Sequence, residues 1–474
     1  MKADAGEELR DSIQRALGRT HSIEEATYLW EDLYLHQEAA KSRDMEETRE
    51  KPEDRSSDPY RTPFQHDRDR IIHSKAFRRL AHKTQIYIAP EGDHFRTRLS
   101  HSLEVAQLAR TGARALRLNE DLVEAIALGH DLGHAPFGHG GEEALQHALS
   151  GTFDHHEQGY LVVTKLTVID RLPLNLSQAA RWGIRRSSRD RRPRKGEPAE
   201  TQEERLVKYV DDIAWVNHDI DDAIMTGILS QSDLGVCLLQ TVGRDRRRRL
   251  SYMMASLIEE SRKYLSEGGS VAISSELEQQ LEDSAAVLEE KVWRHPSVAE
   301  RTEAGKQYIL ALFEHFKAHP DDLPGQTRDR LESGDSMDDV LRDHISGMTD
   351  RYAIRQYREF HGPETPLARP EVMKPPDYPC EGYRRVGKGP GRKQGDRVTL
   401  EFGSRHGAEV GAVYRVCFYG RYGTLPSRCD IEDVVGRVKV EEVLSGSCRA
   451  VVLDVKDADR PIETGCVLIR DTTP

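Results

Sequence analysis

Residues 127–145 read ALGHDLGHAPFGHGGEEAL. The stretch begins as the end of an apolar helix and closes as the start of another. Leu122, Val123, Ile126, Ala127 and Leu128 share one helical face, and Asn119 suits an N-cap, so a helix is expected over Glu120–Asp131. Gly133 to Gly141 breaks the pattern and reads as a tight loop. A further helix is expected from Glu142 to Leu149. Upstream, Leu103, Val105, Ala106, Leu108, Ala109, Ala113 and Leu116 predict a helix over Leu99–Leu116. Helical periodicity continues through Lys208–Ile228, Arg249–Leu265, Ser274–Val292, Glu303–Ala318 and Met337–Phe360, with no strand pattern between them.

His130 and Asp131 are adjacent, and neighbours in a helix interior do not share a face. At a fraying C-terminal end both can turn inward. His101 lies on the preceding helix, and Asp211 lies in YVDDIAWVNHDIDDAI, residues 209–224. Packed side by side, these helices can aim two imidazoles and two carboxylates at one point. Such a mixed nitrogen and oxygen set suits an open divalent site (Mn, Mg, Fe, Co or Ni) better than a closed structural zinc site. A lone His–Asp dipeptide means little. Its weight here comes from RLSHSLEV (98–105) before it and the acidic helix after it. Histidine is also crowded here, with eleven of twenty between His66 and His156.

The chain has 474 residues, 37% of them hydrophobic and 32% charged, and a formal net charge of −12. That length holds several domains and a large core. The acidic balance argues against a non-specific nucleic-acid coat, which needs a basic surface. The longest apolar runs fall short of a membrane span. The start, MKADAGEELRDSIQRAL, has no apolar signal region. The six cysteines, Cys237, Cys380, Cys417, Cys429, Cys448 and Cys466, form no CxxC pair and read as free thiols of a cytoplasmic protein.

Two basic runs, Arg185–Lys195 (RRSSRDRRPRK) and Arg244–Arg249 (RDRRRR), read as solvated surface loops or as an anion-binding rim. Beyond residue 362 the texture changes. Pro363, Pro366, Pro370, Pro375, Pro376 and Pro379 mark a linker over 363–395. RVTLEF, GAVYRVCFY, GRVKVEEVL, CRAVVLDV and GCVLIRD then predict a small antiparallel barrel or sandwich over 396–474, with no catalytic constellation of its own. The expected organisation is a helical extension (1–57), a helical core (58–362), a linker and a β domain.

Several long stretches resemble, in order, the HD-domain deoxynucleoside triphosphate triphosphohydrolases, the dGTPase-like family. They are DPYRTPFQHDRDRIIHSKAFRRLAHKTQ (58–85), HFRTRLSHSLEVAQLAR (94–110), the stretch at 127–145, FDHHEQGY (153–160), LPLNLSQAARWGI (172–184), the acidic helix and DHISGMTDRYA (343–353). The resemblance covers roughly Asp58 to Phe360. It implies a mainly α, metal-dependent hydrolase that converts a deoxynucleoside triphosphate, dGTP or a broader set, to deoxynucleoside and triphosphate.

It also implies roles. His101, His130, Asp131 and Asp211 match the metal ligands. His139 and Glu142 match a catalytic His–carboxylate pair, although a first-turn acid such as Glu142 also simply complements the helix dipole. His134 and Arg98 match phosphate contacts, and His156 a further active-site histidine. Gln85 matches a residue that reads the deoxyribose, and Asp219 an acid near its 3′-hydroxyl. Trp215 and Trp293 stand where relatives often carry Tyr; indole has no hydroxyl and cannot accept a hydrogen bond, so sugar selectivity is the property in question. The resemblance further implies a homo-oligomer, a tetramer or hexamer, with a nucleotide or single-stranded DNA effector. Two rival readings are an HD phosphohydrolase acting on another nucleotide and a nucleotide-sensing nucleic-acid-binding protein.

Overall fold

A computed structural model of the chain describes residues 18, 23–51, 58, 60–85, 95–151, 153–169, 172–229, 233–234 and 246–362. Towards the C-terminus it describes 384–388, 397–400, 413–417, 434–443, 448–455 and 467–470. The chain divides into two compact units, residues 1–373 and 374–474.

The first unit is mainly helical. Its described helices are α1 (Ile23–Tyr34), α2 (Pro63–His73), α3 (Lys75–Arg79), α4 (Arg98–Leu116), α5 (Glu120–Gly129), α6 (Gly138–Ala148), α7 (His155–Leu161), α8 (Gln178–Arg185), α9 (Gln202–Met225), α10 (Arg246–Ser266), α11 (Ser275–Leu288), α12 (Pro296–Ala318), α13 (Gly325–Glu332), α14 (Met337–Ser346) and α15 (Asp350–His361). Local chemistry sets their starts. Thr97 and Ser100 form a reciprocal capping box at α4, Asn119 accepts from Leu122 N at α5, and Thr201 caps α9. No described helix is long and apolar enough to cross a membrane.

Two cores hold the unit together. The larger is built where α4, α5 and α9 pack on one another and α2 packs on α5. It contains Val105, Ala109, Val123, Ile126, Leu206, Val210 and Ile213, all fully buried. The smaller joins α6, α12, α14 and α15 through Leu145, Tyr308, Leu312, Phe313, Val340 and Ala353. Full burial of each large aliphatic side chain stabilises by about 1.5–3 kcal/mol. The loop after α5 belongs to both cores, because Leu132 packs in the first while Ala135 and Phe137 pack in the second. The stretch that opened the sequence reading therefore spans the junction of the two cores.

Several predicted boundaries shift. The helix expected to reach Asp131 ends at Gly129. The helix expected from Glu142 begins already at Gly138, within the expected loop. The single helix predicted over Met337–Phe360 is two, because the chain turns at Gly347–Met348 and Thr349 caps α15 by accepting from Tyr352 N. Ser274–Val292 divides into α11 and a π-helical turn, Glu289–Trp293. A two-residue-per-strand hairpin pairs β1 (Val168–Ile169) with β2 (Leu172–Pro173), where no strand was expected.

The basic runs differ from one another. Arg185 pairs with Glu157 and Glu197, buried Arg186 with Glu204, Arg189 with Asp212, and Arg191 with Asp154. The first part of this run is thus paired with neighbouring acids, while Arg192, Arg194 and Lys195 stay exposed, as expected of a solvated loop. In the second run, Arg246 onward is helix, and fully buried Arg249 donates to Asp221 and Asn217. Arg244 and Asp245 lie outside the described residues, as do the six prolines assigned to the linker and most of residues 1–22.

In the second unit every described segment is a strand: β3 (Arg384–Lys388), β4 (Arg397–Leu400), β5 (Val413–Cys417), β6 (Val434–Val443), β7 (Cys448–Val455) and β8 (Val467–Arg470). All pairs are antiparallel, in the order β3–β4–β7–β6–β5–β8, and β8 pairs back onto β3. Strand β3 falls in the segment expected to be linker. The cysteine thiols lie outside the described side chains.

Candidate functional site

Three helices supply the centre of the site. Helix α4 carries Arg98 and His101 on its buried side. Helix α5 stops at Gly129, so His130 and Asp131 sit in the turn beyond it and both point inward, 4% exposed each. Helix α9 carries Asp211, Trp215, His218 and Asp219, whose spacing of four, seven and eight residues keeps them on one face.

The protonation of the histidines follows from their partners. His130 Nδ1 lies 2.7 Å from the carbonyl of Ala127, so Nδ1 carries the hydrogen and donates. Its Nε2 is buried without a hydrogen-bond partner, 3.4 Å from both Asp131 Oδ1 and Asp211 Oδ1. His101 Nε2 lies 3.0 Å from the same Asp211 oxygen, and His101 Nδ1 faces His218 Nδ1 at 3.0 Å. His218 Nε2 in turn is 2.7 Å from Glu104 Oε2, at an angle off the ideal hydrogen-bond line. A lone pair facing a carboxylate is repulsive unless a cation or proton lies between them. Ligand atoms of His101, His130 and Asp131 all fall within 4.8 Å of one another. With Asp211 beside them, the donor set fits a divalent cation.

The ionisation pattern agrees. Burial alone lowers the His130 pKa, but Asp131 and Asp211 overcome it and raise it to about 9. Burial alone raises Asp131, yet His130, Arg98 and His134 hold it well below the usual carboxylate range. Asp211 is likewise depressed by His130 and His101 against the effect of burial. Without a metal, a proton takes the place of the cation.

Around this group the structure separates the residues the resemblance had linked. His134 Nε2 lies 3.0 Å from Asp131 Oδ1, and Arg98 donates to Asp131 Oδ2 at 3.1 Å. Both expected phosphate contacts thus brace a carboxylate of the metal group. Glu142 does not hold His139 directly. Its carboxylate meets His155 Nδ1 at 2.8 Å and accepts from His155 N. His155 stacks on His134 with ring centroids 3.8 Å apart, and on His156 at 3.9 Å. His156 Nδ1 contacts Ser187 Oγ at 2.9 Å. His134, Glu142 and His155 form a second cluster of potential ligand atoms. His139 opens to solvent from inside a crowded cleft, where burial and then Arg98 lower its pKa and keep it neutral.

The far end of the site is aromatic. Trp293 sits on the π-helical turn, a feature frequent at functional sites. Its ring is 5.8 Å from Trp215 and 6.2 Å from His139. Asp219 is buried, its Oδ1 lacks a hydrogen-bond partner, and burial with Asp222 nearby raises its pKa well above the usual range. Gln85 Oε1 is also buried without a partner. The bridge between Thr84 and Thr97 places Gln85 beside the start of α4.

Sequence reasoning missed the supports. Asp350, quoted only as part of a motif, accepts from Phe137 N at 2.9 Å and from Thr84 N at 3.1 Å, and pairs with Thr84 Oγ1. Phe137 has φ of 65°, a strained conformation for a bulky residue. Asp350 therefore pins a strained corner of the loop. Lys83 reaches the carbonyls of His134 and Ser346 from the same side. His155, His218 and Glu104 were not singled out either. The overabundance of histidine was the only available signal, and partners far apart in sequence cannot be paired by spacing.

Residues 98–215 match the model of the HD domain, and residues 271–359 match that of the phosphohydrolase-associated domain. HD domains bind divalent metals, in keeping with the donor group described above. A deoxyguanosinetriphosphate triphosphohydrolase-like protein of Caldanaerobacter subterraneus subsp. tengcongensis is 44% identical over 342 residues, covering 72% of this chain and 96% of the relative. Proteins of the same name from Clostridium tetani and Desulfatibacillum aliphaticivorans are 37% and 38% identical, covering 65% of this chain and 88% and 90% of their own lengths. A solved structure of a hypothetical protein from Aquifex aeolicus aligns over 82% of this chain and 92% of its own, at 17% identity and a TM-score of 0.37. With nearly the full length of such relatives matched at this identity, the chain belongs to the deoxyguanosinetriphosphate triphosphohydrolase-like family of HD-domain phosphohydrolases.

Proposed function

We propose that the helical unit hydrolyses deoxynucleoside triphosphates, dGTP or a broader set, to deoxynucleoside and triphosphate. The observation that carries this reading is the convergence of His101, His130, Asp131 and Asp211 on one point, beside Arg98 and the cleft of His139. These four residues would hold a divalent ion, Mn, Mg, Fe, Co or Ni. Such an ion, when bound, polarises a phosphoryl oxygen and lowers the pKa of water.

The remaining chemistry falls to the chain. Water adds at the α-phosphorus and the bond to the 5′-oxygen breaks. His139 is neutral and open to the cleft, so its ring suits proton transfer at the attacking water or at the departing 5′-oxygen. Arg98 adds positive charge for the triphosphate while bracing Asp131. Glu142 and His155 form a bonded pair that fixes the histidine shelf of His134 and His156. Unpartnered Gln85 Oε1 and Asp219 Oδ1 are polar atoms awaiting a ligand, suited to sugar hydroxyls. Trp215 and Trp293 offer the apolar wall against which a sugar or base packs.

The relatives support a separable catalytic unit, since 72% of this chain accounts for 96% of one of them. We assign residues 58–362 to it, with 1–57 as an extension and the C-terminal strands as an appended β domain. An oligomer and a nucleotide or single-stranded DNA effector belong to the same proposal.

The test is a metal-by-nucleotide screen in which triphosphate and orthophosphate are detected separately. The panel includes nucleoside monophosphates, cyclic dinucleotides and guanosine polyphosphates. Triphosphate release from a deoxynucleoside triphosphate is expected. Turnover of another nucleotide alone, or salt-dependent DNA binding with no turnover of any nucleotide, refutes it.

A further inference from the structure

We infer that His218 and Glu104 are positioning residues that direct the free lone pair of His101 toward the metal group. The inference rests on the proposed ligand set. His218 is fully buried on α9, and Glu104 is on α4, one turn from His101. The contacts run in one line: Glu104 Oε2 to His218 Nε2 at 2.7 Å, His218 Nδ1 to His101 Nδ1 at 3.0 Å, and His101 Nε2 to Asp211 Oδ1 at 3.0 Å.

With a cation held between His101 Nε2 and Asp211, one arrangement of hydrogens satisfies this line. His218 Nε2 then turns its hydrogen toward the Glu104 carboxylate, a close contact whose angle falls short of a regular hydrogen bond. His218 Nδ1 is then the acceptor, and His101 Nδ1 must donate to it. His101 Nε2 is left with its lone pair aimed at the point where His130 Nε2 also aims. Reversing the line would set a bare His218 nitrogen against a carboxylate at 2.7 Å with no cation between them, and would put a hydrogen on the His101 nitrogen that faces the metal group.

Arg96 anchors the outer end. It donates to Glu104 at 3.2 Å and to Asp222 at 2.5 Å. The carboxylate is thus held in place by a cation on its outer side. Metal-bound histidines generally direct their second ring nitrogen to such a partner, and loss of that partner typically costs 10–100-fold in metal affinity. Here the partner is itself a histidine, which relays the tautomer choice from a carboxylate one residue further out.

The test measures Mn²⁺ affinity by chelator competition on the whole chain, with no substrate present. His218→Leu is expected to weaken Mn²⁺ binding by about 10–100-fold. His218→Asn keeps an acceptor near the Nδ1 position and is expected to restore binding to within a few-fold. The metal-free forms of both variants should melt together. If His218→Leu does not fold, Glu104→Leu provides the second measurement: this partly exposed side chain can be replaced without opening the core, and about tenfold weaker binding is expected. Wild-type Mn²⁺ affinity in His218→Leu, or in Glu104→Leu where that variant stands in, overturns the inference. So does equal impairment of His218→Leu and His218→Asn. His130→Ala separates the two levels: its failure to lose Mn²⁺ overturns the ligand set itself, independently of His218.

Discussion

Replacing Gly133 by alanine should disturb the histidine shelf while leaving the metal group in place. A Cβ at Gly133 would lie 2.0 Å from the carbonyl oxygen of His155 and 2.2 Å from the nitrogen of Gly159. Both are backbone atoms of α7, so no side chain can swing aside. Ordinary contact begins near 3.4 Å, and the helix must therefore retreat by about 1.4 Å. Overpacking of this kind costs about 1–3 kcal/mol. The retreat also carries His155 away from Glu142, a 2.8 Å contact whose loss adds about 1.5–3 kcal/mol. Part of the second cost overlaps the first, so a net loss of about 2–4 kcal/mol is expected. Misplacement by about 1 Å can lower turnover by about 100-fold. None of His101, His130, Asp131 and Asp211 lies on α7, so metal content should be retained. The assay combines denaturant unfolding, steady-state turnover and metal analysis of Gly133→Ala. Gly325→Ala is the control, because a Cβ there meets nothing within 4 Å. Wild-type stability and turnover in Gly133→Ala would refute the reasoning.

Metal binding should release about one proton below pH 9, since His130 holds a proton there that the cation displaces. Affinity then rises as pH rises toward 9, and calorimetry in buffers of different ionisation enthalpy reads the proton; heats independent of buffer would contradict it. Asp350→Ala should destabilise the unit by roughly 2–4 kcal/mol, because the buried donors of Phe137 and Thr84 lose their acceptor. A shift in denaturation midpoint smaller than that of an ordinary surface substitution would sink this account of the strained corner. Glu203 is fully buried, and burial raises its carboxyl pKa to about 7 from 4.5. Its folded form binds more protons than the unfolded chain in that window, so stability should fall by about 3 kcal/mol as pH rises from 4.5 to 7. Glu203→Gln should flatten that slope, and an unchanged slope assigns it to other groups. Hydrolysis in ¹⁸O-labelled water should place the label in triphosphate; label in the nucleoside 5′-oxygen would exclude attack at the α-phosphorus.

Sequence reading reached far into the helical unit. The apolar spacing of α4 and α5 and the Asn119 cap follow from interactions within a few residues, which spacing reports directly. Its errors were of the same local kind. One helix was drawn through Gly347–Thr349, and one was started at Glu142 instead of Gly138. The candidate ligand group stood out because His130 and Asp131 are adjacent and their companions lie in stretches with strong resemblance.

The partners of those residues were decided only by tertiary structure. Glu142 sits one turn from His139, and the resemblance paired them, yet packing of α7 on the loop at Gly133 brings His155 to Glu142. His218 lies 117 positions from His101, and Asp350 lies 213 from Phe137. Such contacts depend on how helices cross, which no local period encodes. By itself the sequence determined which residue types can bind a divalent cation and near which helices they lie. The fold decided which lone pair each histidine presents, because a tautomer is set by the neighbour on the other side of the ring.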